Sequence, residues 1–309
     1  MKSFADLERI AQAYKNIIIV PHKHPDGDAL GAAFGLQGML QPFCKAHIKV
    51  VGDHTSWSTW MGSFERVADE EWSAALVIVV DTAKEELLFH PNATQGAEVL
   101  LIDHHPQESP FYSSSLVDEQ ATSTSEILAL IADKASLSLD EKTANVLLYG
   151  LLSDTTVLQH PYTSKATMRA VAYLMEEGAT YKPLVNRLSK RPYAVTQALQ
   201  EASKAIELTV HGLAYWFLDY HTIAKQQYTF NDLFSILRSI QEAVIIVLVV
   251  SLEDHIVLHA QSDSYNLQKV LAPFGGGGHK FASKVRATSM PPILDVIEAL
   301  DELLANTST

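Results

Sequence analysis

A chain of 309 residues is long enough for two domains, or for one large domain with a well-buried core. Its formal net charge of −13 argues against a protein that tracks a long polyanion by neutralising phosphates, although a small anionic substrate stays open. The first residues lack the apolar segment of a secretory signal, and the most apolar run, 243–252, is too short to cross a bilayer. Cys44 is the only cysteine, so no intrachain disulfide can form. We therefore expect a cytoplasmic protein that binds neither membranes nor long nucleic acid.

Strands and helices alternate through the first half of the chain, which favours an α/β domain with a mostly parallel sheet flanked by helices over 1–185. A helical linker over 186–205 leads into a smaller α+β domain over 206–309. Strands are predicted at 17–20, 48–52, 75–80, 100–102, 213–219, 244–252, 256–260 and 284–288. Helices are predicted at 6–15, 29–40, 126–134, 140–152, 164–177, 266–271 and 293–304.

Three apolar runs of the first half end abruptly in side chains that bind metals. The run 17–20 leads to His22, Asp26 and Asp28, the run 75–80 to Asp81, and the run 100–102 to 103–105, which reads Asp-His-His. One such aspartate is equally well read as the start of a turn, and the first loop alone could be a polar surface turn. Because the carboxyl ends of parallel strands collect at one edge of a sheet, three endings together indicate a site.

Imidazole and carboxylate ligands suit Mn²⁺, Fe²⁺ or Zn²⁺ better than Mg²⁺ or Ca²⁺. The candidates exceed what one tetrahedral ion takes, so the sequence favours two ions bridged by a carboxylate, for which Asp81 is the natural choice. Such a pair serves hydroxide attack on phosphorus. Downstream, glycines 275–278 precede His279. Alone this run reads equally well as a flexible turn, but together with two metals it predicts a phosphate clamp on the second domain. A substrate held in the cleft between the domains would be short.

Five segments give the chain a resemblance to the DHH phosphoesterases, in the branch with a DHH-associated C-terminal domain. They are 22–31, 80–82, 103–105, 150–155 and 274–279. The resemblance implies two divalent ions, usually manganese, with one set of ligands for each. It assigns His22, Asp26 and Asp81 to one ion, and Asp28, Asp81, His104 and Asp154 to the other. It implies catalytic roles for His105, which would face the substrate phosphate, and Asp103, which would support the site. It places Gly276, Gly277 and His279 on the terminal phosphate.

One position departs from the family pattern, where an Arg-Ser pair often precedes the helix before the glycine run. This chain has Gln261 and Ser262, so a cationic contact is lost while Ser262 keeps a substrate-binding role; Lys280 and Arg286 are candidate replacements.

Compact members of the family resemble bacterial oligoribonucleases of the nanoRNase type. The resemblance implies hydrolysis of short RNA, of the dinucleotide pApA or of adenosine 3′,5′-bisphosphate. A manganese pyrophosphatase is the alternative enzyme, although its Ser-Arg-Lys-Lys signature is missing here. A non-catalytic nucleotide sensor is the alternative outside enzymes, and a homodimer is left open.

Overall fold

The computed structural model describes residues 3–53, 57–82, 84–106, 110–278 and 280–307. The chain folds into two units, Met1–Leu188 and Ser189–Thr309. None of the helices in the described ranges is long and apolar enough to span a membrane. The boundaries expected at 185 and 205 stay a prediction.

The first unit is built on a parallel sheet of five strands, within the described residues, in the order β2-β1-β3-β4-β5. The strands are β1 (Asn16–Val20), β2 (His47–Val50), β3 (Leu76–Val80), β4 (Glu98–Asp103) and β5 (Ser114–Val117). The strands β1, β3 and β4 coincide with predicted apolar runs. These runs are continuous because both faces of the sheet are covered, and every residue of β3 is buried. The half-buried strand β5 was not predicted, since it lies at the edge and begins with two serines.

Helices cover this sheet, most of them on the side where the larger apolar cluster of the unit forms, and the one that contains Trp72 on the opposite side. They are α1 (Phe4–Ala11), α2 (Gly27–Leu40), α3 (Asp69–Trp72), α4 (Thr124–Lys134), α5 (Glu141–Asp154), α6 (Lys165–Glu176) and α7 (Tyr181–Ser189). Helix α2 packs directly on α5 through glycines. A Cβ atom on Gly31 would lie 2.7 Å from the carbonyl oxygen of Val146 and 2.8 Å from Cα of Gly150. This close approach sets the distance between the two helices.

The second unit contains a mixed sheet with the order β10-β11-β9-β8-β7-β6. Its strands are β6 (Glu207–Leu208), β7 (Leu213–Asp219), β8 (Ile245–Ser251), β9 (Ile256–Ser262), β10 (Gly277–Gly278) and β11 (Ala282–Ala287). Its helices are α8 (Tyr193–Ala202), α9 (Tyr220–Gln226), α10 (Phe230–Arg238), α11 (Leu267–Leu271) and α12 (Met290–Thr307). One face of the sheet packs on α11 and α12, and the other on α8, α9 and α10. The predicted combination of an α/β unit and a smaller α+β unit is confirmed.

Helices α9 and α10 were missed by the sequence analysis. The signal for α10 is a capping box, in which the Thr229 hydroxyl accepts from the backbone N–H of Asp232 and the Asp232 carboxylate accepts from that of Thr229. The helix has nine residues, so its apolar periodicity covers little more than two turns.

Gly31→Ala tests the close contact of α2 with α5. We expect it to lower the free energy of unfolding by about 1–3 kcal/mol, because backbone atoms of α5 must move to admit the methyl group. Urea unfolding measures the change, with Lys142→Ala on the exposed side of α5 as the control. Equal stability of the two variants would contradict the packing argument.

His259 makes the second unit sensitive to acid. Burial, followed by the charge of Lys284, lowers the pKa of His259 from 6.5 to about 4. As the pH falls below about 6.5, the unfolded chain therefore takes up a proton that the folded chain takes up only near pH 4. We expect stability to fall by at most about 2 kcal/mol through this group between pH 7.5 and pH 5. Urea unfolding at both pH values measures the effect, and His259→Gln should lose less free energy of unfolding between them than the wild type does. Equal losses in the two proteins would show that His259 is not the source of the acid sensitivity.

Candidate metal centre

The carboxyl ends of β1, β3 and β4 lie side by side, because the three strands are neighbours in a parallel sheet. Asp81 follows the central strand β3 in a left-handed conformation with φ of 56°, which aspartate tolerates better than most residues. Its side chain is buried, and its two oxygens face different histidines. Oδ2 lies 3.8 Å from Nε2 of His22, and Oδ1 lies 3.5 Å from Nε2 of His104. Asp81 therefore stands between two groups of potential ligands.

The first group consists of His22, Asp26 and Asp81, whose ligand atoms all lie within 4.8 Å of one another. Asp26 is the N-cap of α2, where Oδ1 accepts from the backbone N–H groups of Asp28 and Ala29 at 3.0 and 3.1 Å. Its other oxygen lies 3.9 Å from Nε2 of His22. The capping contacts thus hold this carboxylate in place while leaving Oδ2 directed to the group.

The second group consists of Asp28, His104 and Asp154, again within 4.8 Å. Asp28 is in the first turn of α2 and Asp154 is the last residue of α5, so the glycine-mediated contact of these helices brings the two carboxylates together. His104 Nε2 lies 3.5 Å from Oδ2 of Asp154. The six predicted metal ligands are thus adjacent in space.

Both His22 and His104 direct Nε2 at these carboxylates. The Nδ1 atom of His22 lies 2.7 Å from the carbonyl oxygen of Lys23, and that of His104 lies 3.3 Å from the carbonyl oxygen of Ala121. A carbonyl oxygen can only accept, so each Nδ1 carries a proton and Nε2 is the nitrogen that would bind a metal ion. Nε2 and the carboxylate oxygens face each other at 3.5–3.9 Å, which is longer than a normal hydrogen bond and lets one ion contact both sides. The donor set therefore fits divalent metal ions.

The charges of the centre also indicate a site for divalent metal ions. Burial is the largest influence on Asp28 and, together with the charge of Asp26, raises its pKa to about 7. Hydrogen bonds from Ser125 lower this pKa but do not outweigh burial. Burial and the neighbouring carboxylates, with Asp28 the largest, raise the pKa of Asp81 well above its usual value. Burial, followed by the charges of Asp28 and Asp26, also raises the pKa of Asp154 well above its usual value. A divalent cation would remove this mutual repulsion.

The start of α4 supports the centre, and the sequence analysis assigned no role in the site to these residues. The backbone N–H groups of Thr124 and Ser125 donate to the two oxygens of Asp28 at 2.6 and 3.0 Å. The Thr124 hydroxyl donates to Oδ1 of Asp81 at 2.9 Å. Behind it, the buried Glu126 accepts hydrogen bonds from the backbone N–H of Thr122 at 3.1 Å and from the hydroxyl of Thr167 at 3.0 Å. One segment thus orients carboxylates of both ligand groups.

The two predicted catalytic residues form a pair beside the centre. His105 Nδ1 and Asp103 Oδ1 are 2.8 Å apart, and the backbone N–H of His105 donates to the same oxygen. Burial alone would lower the pKa of His105, but the hydrogen bond and charge of Asp103 outweigh it and raise the pKa. Burial alone would raise the pKa of Asp103, but the hydrogen bonds and charge of His105 outweigh burial and lower this pKa. His105 Nδ1 also lies 3.5 Å from Oδ1 of Asp81.

The predicted substrate-binding residues lie in the second unit. The Ser262 hydroxyl donates to the carbonyl oxygen of Val244 at 2.9 Å and accepts from the backbone N–H groups of Ser264 and Tyr265, so it shapes the turn after β9. Gly276 is packed on Leu271, whereas a Cβ atom on Gly277 would meet open space. His279 lies outside the described residues.

A cation missed by the sequence analysis contacts the unusual Gln261. Arg238, the last residue of α10, donates to Oε1 of Gln261 through Nε at 3.3 Å and Nη2 at 3.1 Å. Arg238 comes from a distant part of the sequence, so no motif connects it to Gln261.

Comparison with known proteins agrees with the predicted family. Residues 16–151 match the family model described as "DHH family, N-terminal domain". The chain is 29% identical to the "Probable bifunctional oligoribonuclease and PAP phosphatase NrnA" of Streptococcus mutans, over 98% of this chain and 100% of that protein. It is 28% identical to the "Bifunctional oligoribonuclease and PAP phosphatase NrnA" of Bacillus subtilis, over 90% and 91% respectively. The fold is similar to that of an exopolyphosphatase-related protein from Bacteroides fragilis, with a TM-score of 0.81 at 17% identity over 98% of this chain and 96% of that one.

Thr124→Val tests whether α4 positions the ligands. The valine keeps the side-chain shape and removes the donor to Asp81, so we expect the affinity for Mn²⁺ to fall about ten- to a hundredfold. Thr124→Ser keeps a hydroxyl and should retain most of the affinity. Isothermal titration calorimetry with Mn²⁺ measures both variants. An unchanged affinity in Thr124→Val would show that the hydroxyl does not position Asp81.

Proposed function

We propose that this chain, whose residues 16–151 match the model of the DHH-family N-terminal domain, is a metal-dependent phosphoesterase of short nucleotides. Its substrates are short oligoribonucleotides and small nucleotides such as pApA or adenosine 3′,5′-bisphosphate. Two relatives that align with at least 90% of this chain bear names for those activities. The observation that carries the proposal is the position of Asp81, with one oxygen near each of two ligand groups.

Two divalent ions would be held by His22, Asp26 and Asp81 on one side and by Asp28, Asp81, His104 and Asp154 on the other, with manganese as the proposed metal. When bound, such ions supply an activated water nucleophile and positive charge beside the phosphoryl oxygens. Asp81 fixes the spacing between the two ligand groups, since the distance between its two oxygens is constant. Thr124 and Ser125 hold the carboxylates of Asp28 and Asp81 in place by donating hydrogen bonds to them, and hydrogen bonds of this kind favour the ionised form.

His105 is the residue that we assign to the substrate phosphate. Asp103 holds its Nδ1 atom and stabilises the protonated ring, whose other nitrogen can then donate to a phosphoryl oxygen. The glycine run of the second unit offers backbone N–H groups to a terminal phosphate, for which the open space at Gly277 leaves room. A homodimer and a cytoplasmic location remain predictions.

Asp81→Asn and Asp28→Asn test the two-metal assignment. Asparagine tolerates the left-handed backbone of residue 81, so the variant removes a charged ligand without adding strain. We expect kcat/KM to fall by more than about a hundredfold while the circular dichroism spectrum is unchanged. Asp295→Asn, on the exposed side of α12, is the matched control.

The assay measures product release, with Mn²⁺ present, from a 5′-phosphorylated RNA dinucleotide, pApA, adenosine 3′,5′-bisphosphate and pyrophosphate. Mononucleotide from the dinucleotides supports the proposal. Turnover of pyrophosphate alone would identify a pyrophosphatase, and nucleotide binding without turnover would identify a sensor. Near-normal activity of Asp81→Asn would refute the bridging role.

A further inference from the structure

We propose that the face of the second sheet beside α10 binds the nucleobase of the substrate, by stacking on Phe230 and His259 next to Lys284. This inference rests on the proposed function, because it assigns a further subsite to the same class of substrate. We call this set of three residues the base subsite.

The register of the sheet places the base subsite in line with the glycine run. Lys284 of β11 is paired with His259 of β9 on one side and with Gly277 of β10 on the other. Residues paired directly across strands have their side chains on the same face, so Lys284 and His259 share one face. Adjacent strands are about 4.8 Å apart, which places His259 about 10 Å from Gly277. A single nucleotide whose phosphate is held at Gly277 can reach that far with its base.

Helix α10 contributes an aromatic ring to this face. Phe230 begins the helix and is 41% exposed, although exposing an aromatic side chain is unfavourable. Its ring lies 5.1 Å from that of His259, with 56° between the planes. The ring of His259 is half-buried and neutral at neutral pH. Together the rings offer a partly exposed apolar surface of the kind on which bases stack.

The charges on this face favour an anionic ligand. The protein as a whole is strongly acidic, yet Lys284 and Arg286 are both exposed on the same face of β11, and Arg238 lies at the end of α10. Asp263 is near Arg238 and Asp254 is near Arg286, whereas Lys284 is paired with His259 across the strands and its charge acts on that ring. A partner with a flat aromatic group and a neighbouring negative charge fits this combination, and a nucleotide has both.

The test compares AMP with ribose 5-phosphate, which carries the same phosphate and sugar but no base. Isothermal titration calorimetry is carried out on the full-length, Mn²⁺-loaded protein. Phe230→Leu removes the ring and keeps an apolar side chain against the helix, Phe230→Tyr keeps the ring, and Tyr193→Leu is the control for an exposed aromatic residue elsewhere in this unit. We expect Phe230→Leu to bind AMP about five- to a hundredfold more weakly, with unchanged affinity for ribose 5-phosphate. Phe230→Tyr and Tyr193→Leu should bind both ligands as the wild type does.

Equal losses for both ligands in Phe230→Leu, or no loss for AMP, would overturn the base subsite. So would a wild-type protein that does not prefer AMP to ribose 5-phosphate. Hydrolysis is measured separately on the same samples. A wild type that binds AMP through Phe230 but hydrolyses no substrate would refute the proposed function and retain the base subsite.

Discussion

The carboxylate of Asp81 is the constraint on which the first unit depends. A buried charge surrounded by other carboxylates is unfavourable unless something compensates it. The fold places this charge at the end of the central strand, where two histidines direct Nε2 at it and α4 donates a hydroxyl group. Even with these contacts, the carboxylates give the centre a net negative charge. The centre thus has the electrostatics of a site that is completed by cations, and the packing of α2 on α5 keeps its walls at a fixed spacing.

The sequence was sufficient to predict a cluster of metal-binding side chains at one edge of the first sheet, because that cluster follows from chain direction, whereas its division into two ligand groups came from the family resemblance. Parallel strands end at a common edge, so His22, Asp81 and His104 had to be neighbours once β1, β3 and β4 were recognised. Asp154 is different: it approaches Asp28 through helix packing, and only the motif resemblance indicated it. The hydroxyl of Thr124 could not be foreseen, since the Thr-Ser-Thr-Ser stretch offers several equivalent N-caps and the contact with Asp81 spans 43 residues.

The second unit shows the same limit. Its buried strands β8 and β9 follow from apolar runs, whereas α10 is short and its contacts with the sheet are tertiary. Gln261 was noticed as an unusual residue, but Arg238 reaches it from 23 positions away, and Phe230 reaches His259 from a similar distance. Sequence reasoning therefore proposed the glycine run as a phosphate-binding element and missed the side chains of the proposed base subsite.

Asp26 carries two tasks that its neighbours do not share. One oxygen closes the first turn of α2, and the other faces His22. A metal ion would accept glutamate as readily as aspartate, but a glutamate is one methylene too long to cap the helix from the same backbone position. The helix therefore disfavours glutamate at this position, and a metal ion disfavours asparagine, serine and threonine, which cap a helix but carry no negative charge. Aspartate is the side chain that meets both requirements.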